Sequence, residues 1–93
     1  MPDNHNKVVT AELTIVNQRG LHLRLASEIS KATAPFLAEV TLSKGNRQAS
    51  ARSPLALVSL AAPCGSVITL RAEGQDAEAV TEALLKLFRE CDI

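Results

Sequence analysis

The sequence predicts an α+β domain of two layers, with a four-stranded antiparallel sheet and three helices packed on one of its faces. Three observations support this prediction. Hydrophobic residues alternate with polar ones in some segments, whereas in others they recur every three or four residues. These segments follow the order strand, helix, strand, strand, helix, strand, helix. The chain has 93 residues, of which 46% are hydrophobic, so we expect residues 1–93 to form a single domain around one modest core.

The first half of the chain is predicted to contain a strand, a helix and a second strand. Residues 7–16 alternate between apolar and polar side chains, and residues 17–20 then break this period as a turn would. A helix is predicted for residues 23–34, and Pro35 marks its end because the residue before a proline avoids helical backbone angles. Alternation returns in residues 38–44, which we interpret as the second strand.

The second half is predicted to contain a hairpin strand, a short helix, a fourth strand and a final helix. Gly45-Asn46 is a turn signal leading into a strand over residues 47–51. Ser53 and Pro54 start the short helix, since serine is a favoured N-cap and proline fits the first helical position. Residues 66–72 are predicted to form the fourth strand. The last helix has a clear apolar stripe, formed by Ala77, Val80, Ala83, Leu84, Leu87 and Phe88.

The composition argues against nucleic acid and membrane as partners. Lys+Arg and Asp+Glu number ten each, and the chain has two Phe but no Trp or Tyr. A nucleic-acid-binding domain would be expected to carry a basic face, often with stacking rings. No apolar run is long enough to span a bilayer, and residues 1–6 are polar, lack a signal-peptide pattern and are expected to be loosely held.

The remaining chemistry-bearing residues predict no metal, cofactor or autonomous enzyme. Cys64 and Cys91 are too few for the disulfide framework of a small secreted domain, and neither has a metal-ligand spacing. We therefore predict reduced thiols and a cytoplasmic location, and we expect a monomer. Paired carboxylates, a catalytic triad and a phosphate-binding glycine loop are not evident in the sequence.

The segment Gly20-Leu21-His22-Leu23-Arg24-Leu25-Ala26 is the strongest functional signal. It places His22 on a turn just before the first predicted helix, beside free backbone N–H groups where the helix dipole favours anions. Arg24 adds a positive charge with planar donors that fit phosphate oxygens. A nucleophilic nitrogen beside an anion-binding cradle could accept and pass on a phosphoryl group. A lone His-x-Arg spacing, however, is more often a surface or helix-capping histidine.

This segment resembles the active-site signature of the histidine-containing phosphocarrier protein (HPr) family of the bacterial phosphoenolpyruvate-dependent phosphotransferase system. That family's usual string is G-L-H-A-R-P-A, and the chain matches it at five of seven positions. Ser53, with Ser59-Leu60, resembles the family's regulatory-serine helix and follows His22 by the family's spacing of 31 residues. The predicted order of elements is also similar to the family's open-faced sandwich, βαββαβα.

The resemblance implies a role for each matching residue. His22 would accept phosphate on Nδ1 from enzyme I, itself charged by phosphoenolpyruvate, and pass it to a downstream sugar-specific acceptor domain. Arg24 would assist the transfer, and the backbone N–H groups of Leu23 and Arg24 would face the phosphate. Ser53 would be the site that a dedicated serine kinase modifies in some lineages. Because the helix dipole tolerates a phosphoserine at an N-cap, phosphorylation of Ser53 would affect partner docking rather than the fold.

The chain departs from the family's pattern beside the histidine and beside the serine. Leu23 replaces a small residue, Leu25 replaces a proline, and Pro54 follows the serine where a bulky apolar residue is usual. Leu23, Leu25, Leu55 and Val58 are predicted to form an apolar docking patch next to the histidine. Core packing is the alternative for these leucines, and for Leu25 the two readings are evenly balanced.

Three functions remain open from the sequence. The leading hypothesis is a stoichiometric phosphocarrier for a sugar-specific acceptor. The second is a regulatory paralogue, as in nitrogen-related branches of the family, in which phosphorylation at His22 or Ser53 controls which partner binds. The third is an unrelated small binding domain in which His22 is incidental. The altered residues around His22 favour a paralogue with partners of its own.

Overall fold

The computed structural model describes residues 7–90, and these form seven elements in the predicted order. The predictions for residues 1–6 and for Cys91 lie outside the described residues. None of the helices within residues 7–90 has the length and apolar character needed to cross a membrane. The strands are β1 (Val8–Thr14), β2 (Glu39–Lys44), β3 (Arg47–Ser50) and β4 (Val67–Glu73), and the helices are α1 (Leu23–Thr33), α2 (Pro54–Val58) and α3 (Ala77–Glu90).

The four strands form one antiparallel sheet in the order β1-β4-β2-β3. Along the central strand β4, Ile68, Leu70 and Ala72 are fully buried, whereas Thr69 and Arg71 between them are exposed. This period of two gives the sheet one apolar face, which the helices cover, and one polar face that remains open. The predicted two-layer α+β architecture is therefore confirmed.

The core is aliphatic apart from Phe88, as the composition indicates. Leu25 and Ile29 of α1 and Leu84 of α3 are almost completely buried. In α2 the inward position belongs to Leu57, while Leu55 on the same short helix is 77% exposed. Leu57 is the one fully buried residue of α2, and Ala56 and Val58 are partly buried against the core.

Turns and element ends follow the predicted signals with small shifts. Gly45-Asn46 forms the two-residue turn of the β2–β3 hairpin, and Gly45 has φ +61°. Strand β1 ends at Thr14 rather than Val16, because Ile15 exchanges hydrogen bonds with the loop residues Gly65 and Ser66. The other predicted boundaries differ from the observed ones by one residue in most cases, as is usual for the ends of elements.

Candidate functional site

His22 stands at the N-cap of α1 with extended backbone angles (φ −98°, ψ 176°). Its carbonyl accepts the first intrahelical hydrogen bond from the Ala26 N–H at 2.9 Å, but its side chain makes no capping hydrogen bond. Within residues 7–90, no acceptor contacts the N–H groups of Leu23, Arg24 or Leu25. The first turn of α1 therefore presents open donors at the positive end of the helix, which suits an anion.

The turn before α1 is fixed by Gly20. It has φ +71°, and a Cβ built there would lie 2.6 Å from the Ala62 carbonyl oxygen and 2.9 Å from Pro63 Cα. The Leu21 N–H donates to the Ala62 carbonyl at 2.8 Å, and the Asn17 side-chain amide donates to the Gly20 carbonyl at 2.8 Å. A glycine is needed here both for the left-handed backbone and for this close approach, which ties the start of α1 to the loop after α2.

The His22 ring has one engaged nitrogen and one free nitrogen. Nδ1 lies 3.0 Å from the Gly20 carbonyl oxygen, and because a carbonyl only accepts, Nδ1 carries the proton and donates it. In the neutral ring Nε2 then holds the lone pair, and this atom is buried with no hydrogen-bond partner among residues 7–90. A buried ring nitrogen without a partner is unfavourable for stability, so fold stability does not account for its position.

Positive charge is concentrated in front of this histidine. Arg19 and Arg24 make no ion pair with any residue of the described range, whereas the Lys31 Nζ lies 3.5 Å from the Glu28 carboxylate. Two free guanidinium groups beside an open helix N-terminus attract a phosphoryl group or an acidic partner surface. The hollow at this position is lined by Arg19, His22, Leu23, Arg24, Ser27, Glu28 and Lys31.

The four residues of the predicted docking patch differ in exposure. Leu23 is 54% exposed and Leu55 is 77% exposed, and Val58 is half-buried against the core. Leu25 is 1% exposed, so its assignment to an exposed patch is wrong. Leu25 faces inward because it lies one helical turn before Ile29, and residues four apart share a face of a helix. We use "docking patch" below for Leu23, Leu55 and Val58.

Ser53 lies at a second helix N-terminus, that of α2. Its hydroxyl oxygen accepts a hydrogen bond from the Ala56 N–H at 3.3 Å, which confirms the predicted N-cap. The neighbouring Arg52 guanidinium donates to the Phe36 carbonyl at 2.9 Å and to the Ala38 carbonyl at 3.3 Å. Arg52 is thus engaged with the loop after α1, and its charge is not directed at the Ser53 hydroxyl.

The sequence reasoning missed Arg19, Ser27 and Lys31 as neighbours of the histidine. Lys31 could have been found, since it lies seven residues after Arg24 and residues at that interval share one face of a helix. Arg19 could not have been found in this way. It reaches the hollow only because of the turn at Gly20, whose geometry has no periodic signal in the sequence.

The fold and the site together define a class of protein, a small α+β domain that presents a histidine at an open helix N-terminus. The family described as "PTS HPr component phosphorylation site" matches residues 9–90. Phosphocarrier protein NPr of Shewanella violacea is 41% identical over 76 residues, which are 82% of this chain and 84% of that protein. Phosphocarrier protein HPr of Cupriavidus necator is 36% identical over 77 residues, covering 83% and 86% respectively.

A solved structure agrees with these sequence matches. The crystal structure of the phosphocarrier protein HPr from Bacillus anthracis is similar with a TM-score of 0.82 and 31% sequence identity. The similarity covers 89% of this chain and 99% of that one. The chain therefore belongs to the HPr family of the phosphotransferase system, and it is a phosphocarrier protein.

Proposed function

We propose that His22 is the residue that carries the phosphoryl group, received from enzyme I and handed to a sugar-specific acceptor domain. The observation that supports this most directly is the position of His22 at the N-cap of α1, where its side chain leaves the first-turn N–H groups free. Membership of the HPr family supports enzyme I and a sugar-specific component as the two classes of partner.

Transfer to Nδ1 requires a change in the imidazole. In the structure Nδ1 donates to the Gly20 carbonyl, so the ring has to turn away from Gly20 and its proton has to move to Nε2. The Nδ1 lone pair then attacks phosphorus, forming an N–P bond as the bond between phosphorus and the donor breaks. Arg24 and the N–H groups of Leu23 and Arg24 stabilise the phosphoryl oxygens during this step.

The docking patch and the free arginines suit a partner surface of complementary character. Leu23 and Leu55 are exposed on two helices that contact each other, and Arg19 and Arg24 lie beside Leu23. An apolar pocket rimmed by carboxylates would match this arrangement, with the charges directing encounter and the leucines contributing apolar burial. Both enzyme I and the acceptor domain would use this surface in turn, since each must reach the same histidine.

Ser53 is proposed as a second modification site, phosphorylated by a serine kinase. A phosphate at this N-cap would meet the positive end of α2 while adding charge next to the exposed Leu55. The added charge would weaken docking at the patch and leave the fold intact. Arg52 would contribute little to holding this phosphate, because its guanidinium is bonded to the Phe36 and Ala38 carbonyls.

A regulatory role is the second candidate function. The observation that favours it is the 41% identity to a phosphocarrier called NPr, together with the replacements at Leu23 and Leu25. In this case phosphorylation of His22 would change which protein binds the docking patch, and no sugar-specific domain would accept the phosphate.

Phosphorylation with enzyme I and phosphoenolpyruvate tests the proposal. Intact mass would be followed for the wild type, His22→Ala and Ser53→Ala. We expect an acid-labile phosphoryl group on the wild type and on Ser53→Ala, and none on His22→Ala. Phosphate that persists on His22→Ala would contradict the assignment to His22. Offering the loaded protein to sugar-specific acceptor domains then separates the two functions, because only the carrier loses its phosphate to one of them.

A further inference from the structure

We propose that the backbone N–H of Leu25 is a third ligand for the phosphoryl group on His22. The phosphate would then be held by three consecutive amides, those of Leu23, Arg24 and Leu25. This inference rests on the proposed phosphorylation of His22. It adds Leu25 to the two amides, those of Leu23 and Arg24, that the family resemblance implies for phosphate binding.

The hydrogen bonds at the start of α1 leave this amide available. The first intrahelical bond runs from the Ala26 N–H to the His22 carbonyl, so the three N–H groups before Ala26 precede the ladder. Within residues 7–90, the Leu25 N–H meets no acceptor, just as those of Leu23 and Arg24 meet none. First-turn N–H groups point out of the same end of a helix, and His22 is the residue at that end.

The Leu25 side chain fixes the position of its amide. It is 1% exposed and packs in the core with Ile29, whereas the side chains of Leu23 and Arg24 are exposed. The side chain of Leu25 is therefore anchored in the core while its N–H faces the opening of the helix. A donor held in place by core packing loses little conformational freedom when it binds an anion.

Leucine at position 25 matters because, unlike proline, it has a backbone N–H. A proline at this position, as in the family's usual string, would fill the first turn without a donor. The chain consequently presents one more amide than a proline-containing first turn could. A hydrogen bond to a charged group stabilises the phosphorylated form only, since water satisfies the donor when His22 is unmodified. This chain should therefore hold its phosphoryl group more firmly, and release it less readily, than a chain with proline at position 25.

A matched pair of variants isolates the amide. Leu25→Ala and Leu25→Pro both remove the leucine side chain and its core packing, but only proline also removes the N–H. Equal amounts of the two would be mixed with limiting phosphoenolpyruvate and catalytic enzyme I until the phosphoryl group equilibrates between them. Intact mass distinguishes the two chains. We expect phosphate to favour Leu25→Ala on the order of tenfold, the equivalent of about 1.4 kcal/mol.

The outcomes separate this inference from the proposed function. Equal sharing between the two variants overturns the Leu25 ligand and leaves phosphorylation of His22 intact. Absence of phosphate on the wild type under the same conditions overturns the proposed function, and the inference with it. Thermal unfolding of both variants checks that each is folded before the comparison.

Amide NMR of the wild type gives an independent answer if either variant fails to fold. On phosphorylation, the amide protons of Leu23, Arg24 and Leu25 should all move downfield, as expected for new hydrogen bonds to phosphoryl oxygens. A Leu25 amide proton that stays in place while the other two move contradicts the proposal.

Discussion

The N-termini of α1 and α2 are built in opposite ways. At α2 the Ser53 hydroxyl accepts from the Ala56 N–H, and Pro54 at the first helical position has no N–H to satisfy. At α1 the side chain of His22 accepts from no first-turn amide, and the N–H groups of Leu23, Arg24 and Leu25 meet no acceptor within residues 7–90. One helix end is capped, and the other lacks a cap worth about 1 kcal/mol and leaves its donors open to an anion.

The arginines beside these two ends differ in the same sense. Arg52, next to α2, is engaged with the Phe36 and Ala38 carbonyls, whereas Arg24 in α1 makes no ion pair within residues 7–90. An engaged guanidinium fixes a loop, while a free one can meet an incoming phosphate. A helix N-terminus is available to an anion when its first-turn amides are uncapped and the neighbouring guanidinium is not engaged by the fold.

Replacing His22 by serine should have the largest effect, because it removes the imidazole and supplies α1 with a side-chain cap. Because His22→Ser lacks the imidazole, it should accept no phosphoryl group from enzyme I. Because serine is a favoured N-cap, the variant should also be more stable than the wild type, by about 0.5–1 kcal/mol. For a domain of this size that corresponds to a rise in Tm of roughly 2–8 °C. Intact mass after incubation with enzyme I measures the first effect, and thermal unfolding measures the second.

The control for this variant is His22→Ala, which removes the imidazole without supplying a cap. It should lose phosphorylation in the same way but gain no stability. If the serine and alanine variants unfold at the same temperature, then α1 is not uncapped in the wild type, and the contrast with α2 fails.

Gly20→Ala should give the next largest effect, on stability. The new methyl group would lie 2.6 Å from the Ala62 carbonyl oxygen on a backbone with φ +71°, so we expect a loss of about 3 kcal/mol. Gly45→Ala is the matched control, because Gly45 has φ +61° and, apart from its chain neighbours, no atom of residues 7–90 lies within 4 Å of the added Cβ. It should cost about 1 kcal/mol. Urea unfolding measures both, and equal losses would contradict the close packing of the α1 entry on the loop after α2.

Arg24→Ala should lower phosphorylation without changing stability. The exposed guanidinium has no ion-pair partner in the described part of the chain, so its loss should alter the free energy of unfolding by less than about 0.5 kcal/mol. The share of phosphate taken in competition with the wild type should fall about tenfold. Arg47→Ala is the control, because it removes the same charge at a different position. The Arg47 guanidinium donates to the Ser59 carbonyl at 3.1 Å and does not line the hollow at His22. A comparable fall for Arg47→Ala would mean that overall charge, and not the position of Arg24, is responsible.

The sequence predicted those features that depend on neighbouring residues or on a regular hydrophobic spacing. The Ser53-Pro54 start of α2 depends on the capping chemistry of two adjacent residues, and it was confirmed. The alternation in residues 7–16 and the apolar stripe of α3 depend on period, and they place the core correctly, since Leu13, Leu84 and Phe88 are buried. The position of His22 just before α1 follows from where that period begins.

The features that the sequence could not predict depend on tertiary geometry. Leu25 is an exception, because its spacing of four residues from Ile29 already favours an inward position, and its assignment to an exposed patch overlooked that spacing. The structure buries Leu25 and exposes Leu23. The hydrogen bond from His22 Nδ1 to the Gly20 carbonyl depends on the left-handed turn at Gly20, and no pattern of residue types encodes it.

Ser53→Ala should give the smallest of these effects, and it tests whether the two helix ends are independent. Removing the hydroxyl leaves the Ala56 N–H without its acceptor, at a cost of about 1 kcal/mol in the free energy of unfolding. Ser53→Asn restores an acceptor and should recover most of this loss. Neither variant should change phosphorylation by enzyme I, because the phosphate cradle belongs to α1 and α1 has its own entry at Gly20. If Ser53→Ala lowered phosphorylation while Ser53→Asn did not, the cap of α2 would be supporting the docking patch through Leu55, and stability at one helix end would be coupled to chemistry at the other.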